Sequence, residues 1–262
     1  MSGNIPIQDG YLIVTGAASG IGLATCEAAA ELGAHVLALD IAHSESDGVQ
    51  RLLSSPDISY LRCDVSDPTA WAEVAASLEQ APTHLFLNAG IQIAPPEAPM
   101  SDYQFDALRL DRYRKMMGVN VDGVVFGLHA LLPKLKNGGA VVVTSSLAGI
   151  TPYSIDPLYA MSKHAVAGLV RSLGPTLEPR GISINALCPG GINTAIIPLE
   201  QRSASSPGDF MTPEHVAEEV LALFDVQESG KTWAKVAQSK PAFIIRAPGD
   251  KSADANRTPS TG

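Results

Sequence analysis

The chain has 262 residues, 45% of them hydrophobic and 17% charged, a globular composition with enough apolar side chains for the core of one or two domains. Eighteen Lys and Arg against 27 Asp and Glu give a net charge of −9, a field that repels nucleic-acid phosphates and anionic lipid, so neither partner is expected. Cys26, Cys63 and Cys188 contain no C-x-x-C pair, which speaks against a zinc knuckle or disulfide scaffold and points to a reduced, cytoplasmic setting; residues 1–10 carry no signal-peptide pattern, and no apolar run approaches a membrane span.

Short apolar runs alternate with helically spaced stretches along the chain. In order, the pattern predicts a strand over 11–15, a helix over 21–32, strands over 35–40 and 58–64, a helix over 69–78 and a strand over 84–88. Further on come a long helix over 113–135, a strand over 140–145, a second long helix over 158–178 and a strand over 183–187. Thr212 before Pro213 marks the start of a helix over 213–224, and Asp156-Pro157 has the same form; a last, weaker strand falls at 243–246. Such alternation predicts a parallel sheet covered on both faces. We read one domain over residues 1–246 and a polar, mobile tail over 247–262.

The strand 11–15 runs into Gly16-Ala17-Ala18-Ser19-Gly20-Ile21-Gly22, which opens the first helix. Glycines at such a turn let the backbone approach a pyrophosphate, and the helix N-terminus offers unpaired N–H groups; a merely tight connection would use the same glycines. Asp40 ends the second strand 18 residues after Gly22, where a carboxylate accepts both adenosine ribose hydroxyls and repels a 2′-phosphate. Capping the next segment is its alternative use. No Arg or Lys stands among Ala17, Ala18, Ile41 and Ala42, so NAD is favoured over NADP.

Thr15-Gly-Ala-Ala-Ser-Gly-Ile-Gly22, Asn88-Ala-Gly90 and Tyr159-Ala-Met-Ser-Lys163 resemble the motifs of the short-chain dehydrogenase/reductase family. Asn120, Ser146 (13 residues before Tyr159), Pro189-Gly190 and Thr194 follow in the family's order, and the resemblance runs from about residue 10 to 245. It implies a Rossmann-like, doubly wound parallel sheet of about seven strands in three α/β/α layers, NAD(P)-dependent hydride transfer, and a homodimer or homotetramer built on the two long helices. It also implies cofactor contacts from Gly16, Ser19, Gly20, Ile21, Gly22, Asp40 and Ile41, with Asp64 and Val65 flanking the adenine. Asn88, Ala89 and Gly90 should pass near the ribose, Tyr159 and Lys163 should also touch the cofactor, and Pro189, Gly190, Ile192 and Thr194 should line the nicotinamide end. The stretch from Gly90 to Asn120 is several residues longer than the family pattern, with the excess placed in 94–113.

Taking a hydride from an alcohol carbon requires removing the hydroxyl proton at nearly the same time. A phenol can do this once its pKa is brought from near 10 toward 7, which needs roughly 4 kcal/mol of preferential stabilisation of the anion. Burial acts the other way, so cations must supply it. Of the six tyrosines, Tyr159 alone has a lysine at +4, Lys163, on the same helix face. Ser146, just past the strand 140–145, can polarise the reacting oxygen, though a serine there also caps turns. Asn120, by the resemblance, holds a water linking Lys163 to solvent; taken alone, it is a polar residue that kinks its helix.

Other chemistries find little support. The six histidines show no H-E-x-x-H spacing, so no metal is expected, and there is no G-x-S-x-G elbow. Gly230-Lys231-Thr232 lacks the leading glycine of a phosphate loop, since residue 225 is Asp, and no strand is expected before it. The loops 91–95, 147–153 and 191–202 are mainly apolar, with Arg202 their one basic side chain. The expected substrate is a neutral, mainly apolar secondary alcohol or its ketone, held by Ser146 and Tyr159 with Gln92 and Tyr153 as polar contacts. A catalytically silent NAD-binding regulator is the alternative from another class. An epimerase or dehydratase of the longer-chain relatives would need a larger C-terminal region. The presence of Asn120, Ser146, Tyr159 and Lys163 together favours the enzyme.

Overall fold

The structure, a computed structural model, describes residues 4–203 and 210–246; the expected tail at 247–262 lies outside the described residues. Seven strands, β1 (Tyr11–Thr15), β2 (His35–Asp40), β3 (Ile58–Arg62), β4 (His84–Leu87), β5 (Ala140–Thr144), β6 (Ser183–Pro189) and β7 (Lys231–Lys235), run parallel in one sheet, and β8 (Phe243–Ile245) is antiparallel to β7. The order is β3-β2-β1-β4-β5-β6-β7-β8. Eight strands thus replace the seven expected. The addition is β7, whose sequence Lys-Thr-Trp-Ala-Lys lacks the continuous apolar run by which the other inner strands are recognised. Gly230-Lys231-Thr232 is the entrance to this strand, with Gly230 N donating to Ile184 O at 2.7 Å. The strands expected over 58–64, 84–88 and 140–145 stop one or two residues short, because their last residues turn into the loops above the sheet.

The helices are α1 (Gly20–Glu31), α2 (Asp47–Leu52), α3 (Pro68–Ser77), α4 (Leu110–Met117), α5 (Gly123–Leu131), α6 (Pro157–Leu177), α7 (Leu199–Ser203) and α8 (Pro213–Phe224). Their starts follow local chemistry: Asp67, Asp156 and Thr212 each accept a backbone N–H of the first turn, and each is followed by proline. The continuous helix expected over 113–135 is broken, since α4 and α5 are joined by a π turn, Gly118–Asp122, that carries Asn120. Asn120, within this turn, is fully buried.

Strand alternation builds two cores. Ile13, Val141 and Val143 face Trp71, Leu128 and Val170 from α3, α5 and α6, while Leu12, Val14 and Val142 face Cys26, Val216, Val220 and Phe224 from α1 and α8. Close approach on the first side uses Gly127, where a Cβ would stand 2.8 Å from the Trp71 ring. The long segment between β4 and α4 forms two short 3₁₀ turns, Met100–Tyr103 and Phe105–Ala107. Tyr103 is buried, donates to Pro95 O at 2.7 Å, and joins Ile93, Met116, Leu158 and Tyr159 in a third apolar cluster against the start of α6. The inserted residues therefore brace the start of α6 from behind, and Ala94, Pro95, Pro96, Asp111 and Arg112 line a cavity beside the cleft described next.

Candidate active site

The chain reverses its strand order between β1 and β4, so a crevice opens above their carboxyl ends, the place where open α/β sheets bind ligands. A cleft of about 300 Å³ lies there, reaching across to the ends of β5 and β6. The turn after β1 forms one wall. Gly16 and Gly20 take left-handed φ values of +64° and +53°, and a Cβ on Gly22 would stand 2.1 Å from Gly16 O. The turn is thus a backbone cradle that side chains would fill, with the N-terminus of α1 beneath it, as a bound pyrophosphate requires.

Asn88 ties the strand ends together. Its N–H donates to Thr15 Oγ1 at 2.8 Å, its Nδ2 to Thr15 O at 3.1 Å, and its Oδ1 accepts from Thr144 Oγ1 at 3.0 Å. Thr15 Oγ1 also accepts from Ala89 N at 3.1 Å. Thr15 and Thr144 were not singled out from sequence; their signal is a hydroxyl at the carboxyl end of an inner strand. At the outer end, Asp40 Oδ2 accepts from Ala18 N at 2.9 Å and Oδ1 from Ala42 N at 3.0 Å, so this one side chain shapes both the glycine turn and the loop after β2. Arg62 lies in register with Asp40 on β3 and donates from Nε to Ile41 O at 2.9 Å, a cation remote in sequence from the turn and brought to it by strand pairing. Asp64 accepts from Ser66, and buried Val65 offers its carbonyl to Trp71 Nε1 at 2.9 Å.

Tyr159 and Lys163 lie on α6, both buried, with Lys163 Nζ 5.7 Å from the Tyr159 ring centre. Nζ donates to Thr144 O at 2.9 Å. Burial drives the Tyr159 phenol up from its ordinary value, opposed by the hydrogen bond it shares with the Ser146 hydroxyl. Burial also pushes the Lys163 ammonium down to about 8. Ser146 Oγ accepts from Ala148 N at 3.1 Å, so it caps a 3₁₀ turn as well as facing the phenol; both uses weighed from sequence coexist. Asn120 sits behind the cleft, its Oδ1 accepting from Ile91 N at 2.8 Å and its Nδ2 donating to Ile91 O at 2.9 Å and Ser162 Oγ at 3.0 Å. Its side chain thus pins the segment after β4 to α6.

Of the expected site residues, Gly16, Ser19, Gly20, Ile21, Asn88, Ala89, Gly90, Gln92, Ser146, Tyr153, Tyr159, Lys163, Pro189, Gly190, Ile192 and Thr194 all line this one cleft. Gly22 and Asn120 support it from beneath, while Asp40, Ile41, Asp64 and Val65 stand apart at the ends of β2 and β3. The family model of the short chain dehydrogenases matches residues 11–203. The chain belongs to this family. Short-chain dehydrogenases are oxidoreductases that bind a nicotinamide cofactor, and the cradle above the β1 turn fits one. The cis-4-hydroxycyclohexanecarboxylate dehydrogenase of Sinomonas cyclohexanicum is 34% identical over 227 residues, 80% of this chain and 87% of that protein. The 2,5-dichloro-2,5-cyclohexadiene-1,4-diol dehydrogenase of Sphingobium indicum is 32% identical, covering 73% of this chain and 75% of its own. Among solved structures, a Beutenbergia cavernae protein provisionally described as an NAD(P)-dependent gluconate 5-dehydrogenase, with NADP bound at low occupancy, superposes with a TM-score of 0.73 at 28% identity. That superposition covers 87% of this short-chain dehydrogenase and 96% of the other chain. No described helix is long and apolar enough to cross a membrane.

Toward the substrate side, the walls are Leu147, Ala148, Ile196 and Ile197, with Gln92, Tyr153 and Thr151 as polar members. Arg202 does not line the cleft; its guanidinium donates to Thr194 O and Ile197 O and so holds the loop after β6 in place. Gln92 Nε2 donates to Ile196 O at 3.0 Å, and the side chain also meets the Tyr153 hydroxyl. A neighbouring cavity shares Gln92 and Ile196 as a wall and carries Arg112 and Lys115, cations from outside the three loops expected around the substrate.

Proposed function

We propose that the chain is an NAD-dependent dehydrogenase that interconverts a neutral, mainly apolar cyclic secondary alcohol and its ketone. The observation that carries this is the cluster of buried Tyr159 and Lys163 with half-buried Ser146 at the carboxyl end of β5, facing a cleft with apolar walls. When bound, the cofactor supplies the hydride acceptor and a positive charge. Tyr159 takes the alcohol proton, Ser146 holds the reacting oxygen, and Lys163 keeps a positive charge close to the phenol. Lys163, poised near 8 and anchored on Thr144 O, is suited to exchange a proton at physiological pH. By the family resemblance, a water held at Asn120 would link it to solvent.

Preference for NAD rests on the Asp40 carboxylate, which the amides of Ala18 and Ala42 hold at the end of β2. On the other side stand Arg62, whose Nε is already engaged by Ile41 O, and the NADP bound in the Beutenbergia cavernae neighbour. A cyclic substrate is supported by the substrates named for the two curated relatives above. The exposed apolar side chains of Val125 on α5 and Met161 on α6 support a homodimer or homotetramer assembled on these helices. The test is formation of NADH and NADPH at 340 nm across cyclohexanols, cyclohexanediols and hydroxycyclohexanecarboxylates. Turnover of neutral cyclic alcohols with NAD is expected. Strict use of NADP, or of carboxylated substrates alone, would overturn the assignment, and cofactor binding without turnover of any alcohol would favour a regulator.

A further inference from the structure

Asp156 stands three residues before Tyr159, at the start of α6, and is fully buried. Its two oxygens serve different parts of the chain. Oδ1 accepts from Tyr159 N at 2.8 Å and so closes the first turn of the helix that carries the phenol. Oδ2 accepts from Ile93 N at 2.9 Å, in the segment after β4 whose neighbour Gln92 walls the substrate side of the cleft. Its charge is felt by three phenols: Tyr103 from the inserted segment, Tyr153 from the preceding loop and Tyr159 from its own helix. Burial raises the Asp156 carboxyl, and the amides of Ile93, Tyr159 and Leu158 pull it back. Both oxygens face N–H donors, so the ionised form is the one these partners satisfy.

Capping alone does not account for this arrangement. Serine, threonine or asparagine caps a helix about as well without placing a charge in the interior. What a carboxylate adds is a second acceptor oxygen reaching the other segment. We propose that Asp156 is a positioning residue for the reaction: one buried carboxylate locks the start of the Tyr159 helix to the segment that walls the substrate end of the cleft. The inference rests on Tyr159 being the acid–base group. Loss of the link frees Ile93 and Gln92 relative to the phenol, so the substrate's two ends are no longer held in one geometry.

The test compares Asp156→Ser and Asp156→Asn with the unaltered enzyme, with Tyr159→Phe run beside them. Serine keeps the cap but lacks the second oxygen; asparagine keeps the size but sets its NH₂ against one of the two N–H groups. Hydrogen exchange over residues 91–94 is expected to quicken about tenfold in both, with Tm lowered by only a few degrees in the serine variant, which keeps the cap and leaves the Ile93 amide unpaired. KM for the alcohol should rise about tenfold, with KM for NAD unchanged. Exchange at the unaltered rate, or faster exchange with both constants unchanged, would overturn the proposal. So would a fall in stability with no selective rise in the alcohol KM, the mark of a plain cap. Turnover by Tyr159→Phe would instead count against the assignment of Tyr159, and the exchange measurement reports the Ile93 link whatever the activity.

Discussion

Replacing Asp40 by alanine removes the carboxylate proposed to hold the adenosine ribose. In the structure that group accepts from Ala18 N at 2.9 Å and Ala42 N at 3.0 Å, so its position at the end of β2 is fixed before any ligand arrives. A hydrogen bond to a charged group contributes about 1.5–3 kcal/mol. Losing one such net bond weakens NAD about 10- to 150-fold. For NADP a second effect opposes the first. One charge about 5 Å from another repels it by roughly 3 kcal/mol at an effective dielectric of about 20, and partial exposure with salt screening brings this nearer 1 kcal/mol. Alanine relieves that repulsion, so the NAD-to-NADP preference falls by at least about tenfold, chiefly through loss of NAD. Dissociation constants by isothermal titration, with initial rates for both cofactors, measure the change. Thermal unfolding controls for the turn, since the freed amides of Ala18 and Ala42 cost on the order of 1 kcal/mol. A folded variant with an unchanged cofactor ratio would refute the role given to Asp40.

Three further outcomes follow from burial. Lys163 binds its proton less readily when folded, at about 8 against 10.5, so stability from this group is complete above 10.5 and declines by about 3 kcal/mol as pH falls to 8; urea unfolding of the wild type against Lys163→Met between pH 8 and 10.5 should show the difference. His84, enclosed by Thr83 and Ile5 O and pushed down to about 4, keeps the fold stable above 6.5 and loses about 3 kcal/mol as pH falls to 4. His84→Gln should flatten that acid limb, and an unchanged slope would mean the ring is protonated when folded. Gly127→Ala drives a methyl to 2.8 Å from the Trp71 ring, so overpacking should cost about 1–3 kcal/mol, read as a lowered Tm without a change in cofactor affinity.

Much of the sheet was legible because its inner strands are continuous apolar runs between turns, and the helix starts at Pro68, Pro157 and Pro213 follow acceptors that cap them. β7 was missed because Lys231 and Lys235 bound a five-residue strand; Lys235 Nζ is buried against Glu219 Oε1 at 2.6 Å, a pairing no local pattern reveals. The break at Asn120 escaped for a related reason. Hydrophobic spacing continues through Gly118–Asp122, while the π turn is set by bonds from Asn120 to Ile91 and Ser162 across the fold. The site was readable where motifs are local, as in Gly16–Gly22 and Tyr159–Lys163. Its supports, Thr15, Thr144, Asp156 and Arg62, come from elements far apart in sequence and become visible only when the sheet places them together.

The central claim is that Tyr159 exchanges the proton of the alcohol. Tyr159→Phe keeps the ring, its packing and the cap from Asp156 to the helix start, and removes one hydroxyl. Titration of NAD into this variant, followed by NADH formation with the best cyclic alcohol found for the wild type, separates binding from chemistry. Cofactor affinity within about twofold of wild type with turnover reduced at least about a thousandfold is the predicted result. Turnover within tenfold of wild type would contradict it.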